Sequence, residues 1–194
     1  MSKNISIQVE SANGIREIAL DTKLLEERCI FLTGEIDMDM ANDFVRQLMY
    51  LDDEMEQPID VYINSPGGDV LAGLLIYDII QSASCPINIY CAGMAYSMAA
   101  IILASGEKGR RFILPHSKVM IHEPLIDGAV GGSATSIKNI SESILETKKL
   151  IVDILVKHTG RSEEEVERAL IYDNFMTSEK AVEFGICDEV VNKL

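Results

Sequence analysis

Apolar residues fall along the chain in two alternating rhythms, short continuous runs and runs spaced by three or four positions. That alternation predicts strands followed by helices. "CIFLTG" reads as a short strand, and Met40, Phe44, Leu48 and Leu51 then recur at helical spacing through "MDMANDFVRQLMYLDDEM". "IDVYIN" is the next strand, after which Asp69 stands where an N-cap is needed for "VLAGLLIYDIIQSA". "INIYCA" is again strand-like, "SMAAIILASG" predicts a short helix closed by Gly106, and "RRFILP" and "KVMIH" predict two more strands. A long helix is expected from Ala134 to His158, stopping at Gly160. Ser162 and Glu165 form a capping-box signature ahead of "EEEVERAL", and "SEKAVEFG" gives a last helix before the strand-like "EVV". Residues 1–20 are polar and loosely patterned, which fits an arm or a short hairpin. From 21 to 194 no linker or composition break divides the chain, so one α/β domain with helices covering the sheet is expected.

Within that pattern a unit repeats. "CIFLTG", "DVYINSPGG" and "INIYCAG" each end a strand at a glycine-containing turn and lead into a helix. Units of this kind stack well.

Composition narrows the function classes. With 194 residues, 47% hydrophobic and 25% charged, the chain can bury a substantial core. A net charge of −14 opposes binding to nucleic-acid backbones or anionic membranes, so proteins or small molecules are the expected partners. Cys29, Cys85, Cys91 and Cys187 show neither metal-ligand spacing nor the density of a disulfide scaffold, and are expected as reduced thiols. "MSKNISIQVE" has no apolar leader core, and no apolar run reaches membrane-span length, so a soluble, cytoplasmic protein is expected.

Candidate chemistry gathers at a few turns. In "NSPGGD" two glycines let the backbone turn sharply at a helix N-terminus, which suits an anion or simply a tight turn. It lacks the lysine and spacing of a P-loop. Ser97, in "GMAYSMAA", stands at a strand-to-helix junction among small residues. It can cap the helix or react, although the stretch does not match the G-x-S-x-G elbow. A reactive serine needs a base. His158 falls in the last turn of the long helix, where an imidazole commonly complements the helix C-terminus, and His116 falls in a turn. His122 ends an apolar strand and should emerge at a sheet edge. The acidic runs "LDDEMEQ" and "SEEEVE" read as solvated helix faces. Asp173, a lone carboxylate in "LIYDNFM", is a candidate to orient the imidazole, or a turn residue.

Taken in order, "INSPGGDV", "GMAYSMAA", "KGRRFILPHSKVMIHEPL" and "DNFMTSEKAVEFGICDEV" closely resemble the proteolytic subunit of the Clp protease, from about Leu24 to the C-terminus. The resemblance implies a crotonase-like α/β spiral of ββα units. It also implies Ser97 as nucleophile, His122 as general base and acid, Asp173 as orienting carboxylate, and the backbone N–H groups of Gly68 and Met98 as oxyanion donors. No metal or cofactor is implied. The family assembles two stacked seven-membered rings that enclose the active sites, and an ATP-driven unfoldase feeds unfolded chains into the chamber. "VGGSATSIKNISE" and the helix after it resemble the handle that interleaves the rings.

Some positions depart from the family pattern. Ile171 and Tyr172 stand where an Asp-Arg pair usually makes inter-ring ion pairs, and Tyr96 replaces a small residue, implying a narrower substrate pocket. Tyr62, Phe112 and Leu114 fit the aromatic unfoldase-docking clefts, whereas Asp60 and Ser82 replace aromatics. Ser136 stands within Thr135-Ser136-Ile137 where Thr-Asp-Ile is common, and "PGGDV" replaces "PGGSV". These differences keep open a phage-type processing protease without an unfoldase and a weakly active structural or regulatory ring subunit, and the implied fold itself also admits an acyl-CoA enzyme in which two backbone N–H groups hold a thioester oxyanion.

Overall fold

The computed structural model describes residues 5–11, 14–52, 57–126, 128 and 131–194. Residues 1–4, 12 and 13 of the expected arm, 53–55 of the expected second helix and Val130 of the handle-like motif lie outside the described residues. In chain order the elements are β1 (Ser6–Ser11), β2 (Gly14–Ala19), α1 (Leu20–Glu26), β3 (Cys29–Thr33), α2 (Met38–Asp52), β4 (Ile59–Ser65), α3 (Val70–Ser82) and β5 (Ile87–Tyr96). They continue with α4 (Met98–Ala104), β6 (Arg111–Ile113), β7 (Lys118–Ile121), α5 (Ala134–Thr159), α6 (Glu163–Leu170), β8 (Asn174–Thr177), α7 (Ser178–Phe184) and β9 (Glu189–Val190). This is the α/β architecture expected from the strand–helix rhythm.

Strands β1 and β2 pair as an antiparallel hairpin. Among the described residues a second sheet of seven strands runs in the order β3-β4-β5-β6-β9, with β7 pairing to β5 and to β8. Every pairing in it is parallel except β7 with β8. Alternate residues of β4 (Ile59, Val61, Ile63, Ser65) and of β5 (Ile87, Ile89, Cys91, Ala95) point inward. They meet Phe44 and Leu48 of α2, Ile76 of α3 and the wholly buried α4. An amphipathic helix on a half-buried strand gives this layering.

One detail of the sheet controls the site. Strand β5 pairs with β6 through Ile89–Cys91 and with β7 through Met94–Tyr96, so the sheet forks at Ala92 and Gly93. Ser117 holds the fork, accepting from the Gly93 N–H (2.8 Å) and donating to the Cys91 carbonyl (3.1 Å).

The helix ends follow the local chemistry. Asp69 accepts from the Ala72 N–H, Ser162 and Glu165 form the reciprocal capping box, and Gly160 closes α5 in the left-handed region. Five departures from expectation appear. The α4 helix ends at Ala104 with Ser105 as cap, and Gly106 instead leaves room for Arg111, whose Cγ would lie 2.7 Å from any Cβ there. The third strand runs on through Tyr96, well past "INIYCA". Two elements were not anticipated, α1 and β8. Nor is the acidic run at the end of α2 only a solvated face, since Asp52 accepts from the backbone N–H groups of Ser84 and Cys85.

Helix α5 is 26 residues long, yet its buried residues, Ile151, Val152, Ile154 and Leu155, all lie in its C-terminal part. From Ala134 to Leu150 only Ile140, Ile144, Thr147 and Lys148 are even half-buried. No helix among the described residues is long and apolar enough to cross a membrane.

Candidate active site

The fork brings three strand ends to one edge of the sheet. Strand β5 ends at Tyr96 and delivers Ser97; β7 ends at Ile121 and delivers His122. Because β8 runs antiparallel to β7 with Asn174 opposite Ile121, Asp173 is delivered to the same edge. The Ser97 N–H donates to the Met120 carbonyl (2.8 Å), which fastens the end of β5 to β7.

Ser97 occupies φ 52° and ψ −123°, a region an L residue enters only under constraint. It stands at the N-cap position of α4, but its side chain caps nothing. Its hydroxyl lies instead 2.8 Å from His122 Nε2. The backbone thus makes a sharp strand-to-helix turn that exposes Oγ, although the sequence lacks the flanking glycines of the familiar elbow.

The "NSPGGD" loop lies against this turn. A Cβ at Gly67 would stand 2.6 Å from the Tyr96 carbonyl oxygen and 2.8 Å from Ser97 Cβ, and one at Gly68 would stand 2.2 Å from the Ile36 carbonyl oxygen. Only glycines permit such an approach. The loop is held from both sides: the Ile36 N–H donates to Gly67 O, the Asp69 N–H donates to Ile36 O, and Ser65 Oγ accepts from the Gly67 N–H. Among the described residues the N–H groups of Gly68 and Met98 have no acceptor. Met98 N lies 3.2 Å from the Cβ position of Gly67, so one free donor borders the loop that carries the other.

The imidazole is largely buried, with 15% of its side chain exposed, whereas Asp173 is 60% exposed. Nδ1 is 3.3 Å from Asp173 Oδ1, inside ion-pair range, but it has no aligned hydrogen bond among the described residues. Both observations hold together if the carboxylate acts here by charge more than by a directed bond, and its exposure weakens that effect. Val70, Met98, Ile101, Ile121, Pro124 and Ile151 surround the Ser97–His122 pair. An apolar groove continues from Val70 and Pro124 past Leu125 and Ile126 to Ile140 and Ile144 of α5.

The other histidines lie elsewhere. His116 is exposed. His158 sits edge-on to Tyr77, whose hydroxyl is 3.1 Å from Nε2. Burial first, then the charges of Lys157 and Arg111, hold the His158 imidazole down to about 4. It is therefore neutral near pH 7 and does not complement the helix end by charge, contrary to expectation. Among the described residues no group of three or more His, Cys, Asp or Glu side chains could hold a metal ion.

The sequence matches the family model described as Clp protease over residues 12–194. The chain belongs to the Clp protease family. As a Clp protease it is a peptidase of a ring-forming family. Ile171 and Tyr172 directly precede Asp173 and are exposed, Tyr172 by 82%.

On the outer face of the sheet of this Clp protease, Phe31, Tyr62, Tyr90 and Phe112 stack across β3, β4, β5 and β6 with ring centroids 5.1, 5.2 and 5.0 Å apart. Tyr62 and Phe112 were anticipated; Phe31 and Tyr90 were not. Their signal was present in the repeat, since "CIF", "DVY", "NIY" and "RRF" each end in the ring that joins the ladder. Burial within the stack, and then the Asp60 carboxylate, push the Tyr62 phenol up to about 12. Asp60 accepts from Asn88 Nδ2 (2.8 Å), whose Oδ1 accepts from Arg110, so a polar row runs beside the rings.

Proposed function

We propose that this Clp protease chain is a serine endopeptidase in which Ser97, His122 and Asp173 form the catalytic triad. The observation that carries the reading is the Ser97 hydroxyl, released from capping by a strained backbone and directed at His122 Nε2 at 2.8 Å. In the reaction Ser97 Oγ attacks the peptide carbonyl carbon as His122 Nε2 takes its proton. The C–N bond then breaks, and the imidazolium returns the proton to the leaving amine. A water, deprotonated by the same imidazole, hydrolyses the acyl-serine. Asp173 stabilises the imidazolium charge. The free N–H groups of Gly68 and Met98 receive the developing oxyanion, aided by the dipoles of the turn. The apolar groove past Val70 and Pro124 suits an apolar substrate side chain beside the scissile bond.

The working form in this reading is the family's paired heptameric rings, with α5 as the handle whose exposed length packs between them. The aromatic ladder borders a cleft of about 460 Å³ lined by Leu24, Phe31, Tyr62 and Leu194, which suits an apolar loop of an ATP-driven unfoldase. The substrates are then unfolded chains and short peptides. A fluorophosphonate probe tests the chemistry directly. Mass spectrometry should locate the adduct on Ser97 in the assembled protein, and His122→Ala should suppress it. Absence of any adduct in every oligomeric fraction would remove the serine-peptidase reading and favour a ring subunit without its own activity.

A further inference from the structure

We infer that Tyr96 is a positioning residue for Asp173, acting through Phe175, an inference that rests on the triad reading above. Strand β8 lies at an edge of the sheet, held along its length by β7 and at its end by Ser178, whose hydroxyl donates to the Pro115 carbonyl. It is four residues long, pairs among the described residues only with β7, and buries only Met176 of its own side chains, while Phe175 is 56% exposed. Asp173 immediately precedes this strand, so its distance from His122 follows wherever β8 lies. The ring of Tyr96 meets the ring of Phe175 edge-on, with centroids 5.4 Å apart and planes at 90°. Tyr96 lies opposite Met120 on β7, and Met120 lies opposite Phe175 on β8, so the three share one row and one face of the sheet.

The contact therefore spans β7. It joins the strand that delivers Ser97 to the strand that follows Asp173, across the strand that delivers His122. An edge-to-face aromatic pair prefers this geometry, and its two stiff side chains resist both sliding and lifting of β8. The exposed Asp173, 3.3 Å from Nδ1 and without an aligned bond, is the member of the triad most sensitive to such movement. A small residue at position 96 would leave Phe175 without this partner. The phenol oxygen takes no part, so the ring alone suffices.

The test is a cycle on the full, assembled chain with a fluorogenic dipeptide. Tyr96→Ala should lower kcat about three- to tenfold, the range set by one aromatic pair, with KM within about twofold. Tyr96→Phe should restore wild-type turnover. In an Asp173→Asn background, Tyr96→Ala should have no further effect, because its target has already been removed. Phe175→Leu removes the same contact from the other side and should match Tyr96→Ala, which keeps the test open if the latter fails to assemble. A full Tyr96→Ala effect in the Asp173→Asn background, or a change confined to KM, would overturn the inference and make Tyr96 a pocket wall. Undiminished turnover in Asp173→Asn alone would sink the triad reading, and this inference with it.

Discussion

Gly67 and Ser97 approach so closely that a methyl group on the glycine would stand 2.8 Å from the serine's own Cβ. The glycine also holds φ at +91°, where an alanine is strained even with space available. Gly67→Ala should therefore push the loop away from the turn and misplace the Gly68 and Met98 N–H groups together. Peptidase turnover should fall on the order of 10²- to 10³-fold, as for loss of an oxyanion donor. The fold should lose about 1–3 kcal/mol. Parallel dipeptide kinetics and urea unfolding would reveal this imbalance, and an alanine variant with normal turnover would contradict the role given to the loop.

Ser97→Ala and His122→Ala should each reduce turnover by about 10⁴- to 10⁶-fold, and the double variant should be little worse than either, because the two groups act as a unit. Ser97→Ala also removes no capping bond, so thermal unfolding should hardly change. A large loss of stability would indicate that the hydroxyl had been structural.

Arg111 of β6 and Asp188 form a largely buried ion pair. The guanidinium, with 3% of its side chain exposed, donates to both Asp188 oxygens and to the carbonyls of Ala104, His158 and Gly185. Burial alone would raise the Asp188 carboxyl, but the bonds from Arg111 and from the Gly109 N–H outweigh it and hold it below the ordinary range. Asp188→Ala leaves that cation buried and unpaired. The expected cost is about 3–5 kcal/mol in equilibrium unfolding, far above that of a surface carboxylate.

Acid should act through His158. The unfolded chain binds a proton at this imidazole near pH 6.5, while the folded chain resists until about 4. The stability contribution is therefore complete above pH 6.5 and is lost as pH falls from 6.5 towards 4. For a ring only half shielded from water, the loss is about 1–2 kcal/mol. Urea titrations at about pH 7.5 and about pH 4.5 should show His158→Gln losing less than the wild type by that amount. Equal losses would assign the acid sensitivity to other groups.

The long strands and helices were legible because their apolar rhythm is strong and their caps are chemically explicit, as at Asp69 and Ser162. Helix α1 was not. It has seven residues, buries none of them, lacks a side-chain cap, and is supported by Lys23 with Glu26 and Glu27. Strand β8 escaped notice because a four-residue edge strand with one buried side chain has no periodicity to detect. Ser97, His122 and Asp173 were legible as candidates from their surroundings and from the family resemblance, and the fold brings the three together. The positive φ of Ser97 was not, since it goes with a long-range bond to Met120 and the close approach of Gly67 and leaves no local signature. The ring of Tyr96 was visible as a bulky neighbour, but its engagement with Phe175 depends on strand register.

Most of helix α5 has no interior of its own. From Ala134 to Leu150 it stands with its sides open to water, and four half-buried residues are its only anchorage. A helix of that length is at the margin of stability when nothing packs on it. If the proposed rings cover it, a solitary copy should unwind there first, and dilution would register as lost helicity before any other part of the molecule loosened. The same segment walls the groove beside Ser97, so in the proposed rings the packing of copies would govern the shape of that groove.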